Sequence, residues 1–185
     1  CVGAAVAEHS IGAGKGYANI IYVGIGTGIG GGIVVDGRLI FGKDGNAHEI
    51  GHMIIDVEGH LACDCGGFGH WEAYTSGSGL PNFAKYLSDE YPENSPFLES
   101  VKREPSKAKD IFKAAKNGDC FAKHVIECAA VINSKAFANL VNLYDPELIT
   151  VGGGLAMKNE DLVISPISEM LSTYSFNRSP KVMAT

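Results

Sequence analysis

Apolar residues in this chain fall into two rhythms. Short runs of β-branched residues, Asn19–Gly24 (NIIYVG) and Glu147–Val151 (ELITV), predict buried strands. Between Gly24 and Gly32 the sequence Gly-Ile-Gly-Thr-Gly-Ile-Gly-Gly-Gly predicts a loop, followed by a second strand over Ile33–Asp36. Asp36-Gly37 is a hairpin signal and predicts a third, antiparallel strand over Arg38–Phe41. Longer stretches read as helices. Cys1–Ser10 is Ala-rich and ends at Gly12, Gly14 and Gly16. A short helix is expected over His70–Ser76, and a longer one over Gly79–Glu90 that starts near Pro81. Tyr91–Pro105 holds three prolines and reads as a loop. Ser106 is expected to cap a helix to about Lys116, broken by Asn117-Gly118. Asp119 should cap a long helix to about Leu143, with Phe121, Val125, Cys128, Ile132, Phe137 and Leu140 near helical period. Asp145-Pro146 stops it. A further helix, Asp161–Leu171, is interrupted or started by Pro166, and Lys181–Thr185 reads as the start of a strand.

Composition narrows the class. At 185 residues, with 45% hydrophobic and 19% charged positions, the chain can bury one substantial core. No apolar run approaches the roughly 20 residues of a membrane span, and no signal peptide is recognisable. A net charge of −6 argues against a nucleic-acid surface on this chain, and the basic stretch Lys102–Lys116 reads as a solvated helix face. Five scattered Cys form no disulfide framework; an odd count with one close pair suits a reducing cytoplasm and a metal.

Candidate chemistry concentrates in Gly45–Glu72, which holds four of the six His. His52, Cys63, Cys65 and His70 make a Cys2His2 set suited to Zn2+, and Gly66-Gly67-Phe68-Gly69 permits a reversal that brings both ends to one ion. The alternative is a polar loop of unligated His and reduced Cys, and His60 is a further candidate ligand. Glu49 precedes His52 by one helical turn and Glu72 follows His70 closely; carboxylates beside an imidazole suit the gripping of hydroxyl groups. Either Glu could equally sit on a solvated surface. The Gly24–Gly32 loop joins strand to strand, which excludes dinucleotide-binding and Walker-type loops; its amides, with Thr27, can still cradle phosphate oxygens, or it can be a tight hairpin against another backbone. A strand running into Gly152-Gly153-Gly154 offers bare backbone to a ligand.

Three stretches, IGTGIGGGIVVDGRLIFGKDGNAHEIGHM, CDCGGFGHWEAYTSG and YDPELITVGGGLA, resemble the ROK family of sugar kinases and sugar-responsive repressors, in family order and over nearly the whole chain. The resemblance implies an α/β fold of the actin-like ATPase (ribonuclease H-like) type, with a mixed sheet, flanking helices and a zinc-binding loop. It implies that residues 1–185 form the C-terminal lobe, with a mostly helical insertion at about 72–143. Gly26, Thr27 and Gly28 are then expected toward the ATP phosphates and Gly152, Gly153 and Gly154 toward the adenosine. Glu49, His52 and Glu72 fall on sugar positions, and His52, Cys63, Cys65 and His70 on structural Zn2+ positions. The family usually has Cys where this chain has His70, and one extra residue lies between His52 and Cys63. The family's general-base Asp sits just before the position of Cys1, so a chain starting at Cys1 should lack it and be inactive alone; both ends look cut. The implied activity is Mg2+- and ATP-dependent phosphorylation of a hexose, glucokinase-like, by a cytoplasmic homo-oligomer. The alternative is a sugar-sensing repressor whose DNA-binding part is missing.

Overall fold

The computed structural model describes all residues, Cys1–Thr185. Five strands form one mixed sheet: β1 (Ile20–Ile25), β2 (Ile29–Val35), β3 (Arg38–Leu39), β4 (Leu148–Gly152) and β5 (Lys181–Ala184), in the order β3-β2-β1-β4-β5. The hairpin half β1–β2–β3 is antiparallel; β4 and β5 add parallel to β1. Register puts Gly24 opposite both Gly30 of β2 and Gly152 of β4, so the glycine segments meet at one end of the sheet.

Helices close both faces. α1 (Val2–Ile11) lies on one face, with Ala5 over Gly32 and the preceding Cys1 side chain over Gly24 and Gly30. The other face carries Ile21, Val23, Ile25, Ile33, Ile149 and Val151 into the main core. That core is completed by α2 (Glu72–Thr75), α3 (Gly79–Ser88), α4 (Pro96–Arg103), α5 (Ala108–Lys116), α6 (Cys120–Tyr144), α7 (Gly154–Lys158) and α8 (Glu160–Tyr174). Between β3 and β4 the regular elements are helical, with one 3-10 turn at Ile50–His52.

The structure corrects several boundaries. The second strand starts at Ile29 rather than Ile33, so the predicted loop shrinks to the turn Gly26-Thr27-Gly28. Gly30 and Gly32 both lie in β2, Gly32 under α1, where a Cβ would run into Ala5, and Gly30 under the Cys1 side chain. The third strand is only Arg38–Leu39. The predicted loop Tyr91–Pro105 contains α4, because Pro96 occupies the first helical position and the Ser95 hydroxyl accepts from Leu98 N at 3.1 Å. Lys107, not Ser106, is the cap residue of α5, and Ser106 Oγ is buried without a protein partner. Pro166 lies inside α8 rather than at its start. On α6 Asp119 caps as expected, accepting from Ala122 N at 3.0 Å. Of the predicted apolar positions of α6, Phe121, Val125, Phe137 and Leu140 are buried and Cys128 and Ile132 half-buried; the buried face is broader, taking in Ala129, Asn133 and Ser134.

Candidate functional site

The Gly26-Thr27-Gly28 turn is fixed by its neighbours. Gly26 N donates to Gly28 O at 2.9 Å within the turn. Gly77 N donates to Gly26 O at 2.7 Å and Ser78 N to Thr27 O at 3.0 Å, so the α2–α3 junction takes up the turn's carbonyls. The Thr27 and Gly28 N–H groups have no protein partner. Such free amides, beside a cavity, are what an anionic oxygen requires.

That cavity holds about 440 Å³ and is lined by Gly26, Thr27, Gly77 and Ser78, by Ala108, Lys109 and Phe112 of α5, and by Gly154, Leu155, Lys158 and Asn159. The two predicted glycine runs therefore meet there, through Gly26, Thr27 and Gly154. Gly28, Gly152 and Gly153 adjoin these lining residues in sequence. Gly153 has φ +92° and packs on the backbone of Ile25, where any Cβ would collide. Ser78, Lys109, Phe112 and Lys158 carry no local motif and were invisible in the sequence; only the fold brings α3, α5 and α7 to one groove.

Glu72 bridges this groove and the loop before it. Its Oε2 accepts from Ile29 N at 2.7 Å, and a side chain at Gly28 would strike the same carboxylate. Its Oε1 lies 3.9 Å from Cys63 Sγ. Glu72 and Ser78 line a small cleft with Cys63 and Asp64, and Ser78 also lines the larger cavity. Glu72 is thus no surface carboxylate. Glu49 is half-exposed, and its Oε2 sits 3.9 Å from His52 Nε2, as a shared helical turn predicts.

His52, Cys63, Cys65 and His70 converge, with one ligand atom from each lying within 4.8 Å of the others. His52 Nδ1 and His70 Nδ1 are 3.4 Å apart, Cys65 Sγ is 3.3 Å from His70 Nδ1, and Cys63 Sγ is 3.8 Å from His52 Nδ1. A tetrahedral Zn2+ with Zn–N about 2.05 Å and Zn–S about 2.3 Å requires N···N edges of about 3.4 Å and N···S edges of about 3.6 Å. The set fits. Two thiolates with two neutral imidazoles also balance a divalent charge. Burial raises the Cys63 thiol pKa; the Cys65 backbone N–H opposes it, and the Cys65 thiol and Glu72 carboxylate add to the rise. A coordinated cation reverses that sign and holds a thiol deprotonated. Gly67 lies beneath the His70 ring, where no side chain fits. His60 is outside the set: its Nδ1 is 2.9 Å from Asp56 Oδ2.

Residues 2–184 match the profile described as ROK family. A glucokinase of Aeropyrum pernix is 36% identical over 178 residues, which is 94% of this chain and 55% of that protein. The DNA-binding transcriptional dual regulator NagC of Escherichia coli is 32% identical over 166 residues, 89% of this chain and 39% of the regulator. The crystal structure of a ROK family glucokinase from Streptomyces griseus, in complex with glucose and AMPPNP, superposes with a TM-score of 0.82 at 34% identity, over 99% of this chain and 60% of that one. The chain spans about half the length of the curated glucokinases it matches. The mixed sheet and flanking helices are the actin-like ATPase fold expected from sequence.

Proposed function

The chain belongs to the ROK family, and from that premise we propose that it is the C-terminal lobe of an ATP-dependent hexose kinase of glucokinase type. The observation that carries the reading is the bond from Ile29 N to Glu72. It ties a turn with free amides to a carboxylate suited to a sugar hydroxyl, so both substrates are addressed by one rigid unit.

In this reading Thr27 and Gly28 receive the terminal phosphates, and Gly152–Gly154 pack under the adenosine. Glu49, His52 and Glu72 hold the sugar hydroxyls. His52 has Nδ1 toward the Cys/His set and Nε2 toward Glu49, so a ligand on the first nitrogen fixes which face the second presents. His52, Cys63, Cys65 and His70 hold Zn2+, whose part is structural: it pins the loop. Mg2+ carried by the nucleotide would supply the charge that neutralises the transferred phosphoryl group. The acceptor hydroxyl attacks the γ-phosphorus, the bond to the bridging oxygen of ADP breaks, and the hydroxyl proton passes to a carboxylate that the family resemblance puts just before the position of Cys1. The intact protein is a cytoplasmic homo-oligomer in this reading, which size-exclusion chromatography tests.

The similarity to NagC supports a second reading, a sugar-responsive regulator sharing this lobe. The unpartnered Thr27 and Gly28 amides favour the kinase. The test is a coupled assay on the intact protein with MgATP and a panel of hexoses. Hexose phosphate formation is expected. Hexose-dependent DNA binding without product would replace the kinase by the regulator.

A further inference from the structure

We propose that Asp56 is a positioning residue: through Tyr74 it fixes the one-turn helix that carries Glu72, and it closes the loop joining His52 to Cys63. The activity part of this inference rests on the kinase reading above; the structural part does not.

Asp56 accepts four hydrogen bonds. Oδ1 takes Glu58 N at 3.1 Å; Oδ2 takes His60 N and His60 Nδ1, both at 2.9 Å, and the Tyr74 hydroxyl. The Tyr74 oxygen in turn accepts from Leu61 N at 3.1 Å. Four backbone or side-chain groups of residues 58–61 are therefore gathered onto two side chains. The backbone of Asp56 is also engaged: its N–H donates to Gly69 O at 3.2 Å and its carbonyl accepts from Gly59 N at 3.2 Å. Both ends of the metal-ligand loop meet at this residue.

The anchor lies on the helix that matters. α2 is four residues long and has no side-chain cap, so its own hydrogen bonds hold it weakly. Trp71 and Tyr74 place it. Trp71 Nε1 donates to Asn133 Oδ1 at 2.8 Å, and the Tyr74 ring packs edge-on against Phe83 with centroids 5.3 Å apart. Trp71 and Tyr74 are buried on either side of Glu72 in sequence, while Glu72 turns toward Ile29. A lost hydroxyl at Tyr74 frees Leu61 N, one donor to Asp56, and one of the two points that set the rotation of α2. No ion takes part in any of these bonds. The clasp and the Cys/His set restrain the same loop by separate means, and the clasp lowers the ordering entropy left for metal binding to overcome.

The test is made in the intact protein with Tyr74→Phe, which keeps the ring, and with Asp56→Ala. Competition for Zn2+ against a chromogenic chelator reads metal affinity; steady-state kinetics read hexose KM, nucleotide KM and kcat. Losing a hydrogen bond to a charged partner is worth about tenfold. Tyr74→Phe should weaken Zn2+ about tenfold and raise hexose KM by a similar factor, with nucleotide KM unchanged. Asp56→Ala should do at least as much, and the double variant no more than Asp56→Ala, because one network is removed once. Zn2+ affinity at the wild-type value in Tyr74→Phe overturns the proposal. So does a rise of nucleotide KM equal to that of hexose KM, which marks general loosening. If Asp56→Ala fails to fold, Tyr74→Phe decides. If the wild type phosphorylates no hexose, the kinase reading fails while the Zn2+ competition and the exchange rate of the Leu61 amide still decide the role of Asp56.

Discussion

Between Gly24 and Gly32 there are six glycines, and none has a positive φ; between Gly59 and Gly69 there are four, and Gly59, Gly66 and Gly69 all do. In the first segment glycine supplies closeness. Ala5 of α1 sits on Gly32, and Ile50 packs on Gly31 from the opposite face. In the second it supplies conformation, bending a backbone with two isolated bridges, Ile54 with His70 and Ala62 with Phe68. The first segment takes its order from the sheet ladder. The second takes it from side chains: the converging Cys/His set and the Asp56–Tyr74 clasp. The Gly26–Gly28 turn can thus be rigid by construction, while Glu72 beside a sparse loop needs chemical ties.

The largest expected effect tests the first half of that contrast. Gly153→Ala combines a strained φ of +92° with a Cβ driven into the Ile25 backbone. It should destabilise the fold by about 3–5 kcal/mol, read by urea denaturation. A loss under about 1 kcal/mol would mean that β4 is not seated as described. Cys65→Ser comes next. It should lose stoichiometric metal by atomic emission and speed amide exchange in residues 56–69, leaving Ile20–Ile25 and Ile29–Val35 as protected as before. Loss of protection in both segments would erase the distinction. Glu72→Gln keeps the fold and weakens hexose binding in the intact protein by about 1.5–3 kcal/mol, measured by calorimetry. Unchanged affinity removes Glu72 from the sugar site.

A paired comparison is smaller and sharper. Gly66 has φ +91° with open space around it, so Gly66→Ala should cost about 1 kcal/mol through strain alone. Gly30 has ordinary φ, and its Cβ would meet only the movable Cys1 Sγ at 3.0 Å. Gly30→Ala should be within about 0.5 kcal/mol of wild type, since Ala is the better strand residue. Equal effects would mean that the φ of Gly66 carries no strain. The smallest effect at neutral pH is titration of the clasp. Burial pushes the Asp56 pKa up, but hydrogen bonds from Tyr74, His60 and Glu58 outweigh it and hold it at about 2, below the usual 3.8. A lowered folded pKa gives stability present above the unfolded value and lost as pH falls toward the folded one. The stability difference between wild type and Asp56→Asn should therefore be flat above about pH 5 and shrink between about pH 4 and pH 2, in denaturation midpoints taken against pH.

The sequence was most legible where one physical rule acts alone. β1 and β4 are β-branched runs buried on both faces, and α6 is capped by an Asp and stopped at Asp145, which adopts φ +45°. The Cys/His cluster was legible because donor type is written in the residue names. β2 was misread because its glycines serve the helix above them, and a packing partner distant in sequence leaves no local mark. α4 was missed because prolines at a helix start look like loop until the cap is seen. His60 could not be separated from His70 by spacing; the Asp56 carboxylate separates them. The groove lining was illegible for the same reason as β2: Ser78, Lys109 and Lys158 meet only in three dimensions.

The Ile29–Glu72 bond has a thermodynamic corollary. It joins a backbone amide next to the free amides of the turn to a carboxylate beside the Cys/His set. Any ligand that shifts the turn changes the free energy of that carboxylate's position. Reciprocity then holds: the factor by which an occupant of the turn alters affinity at Glu72 is the factor by which an occupant at Glu72 alters affinity at the turn. One hydrogen bond of 2.7 Å makes the two ends of the site report on each other.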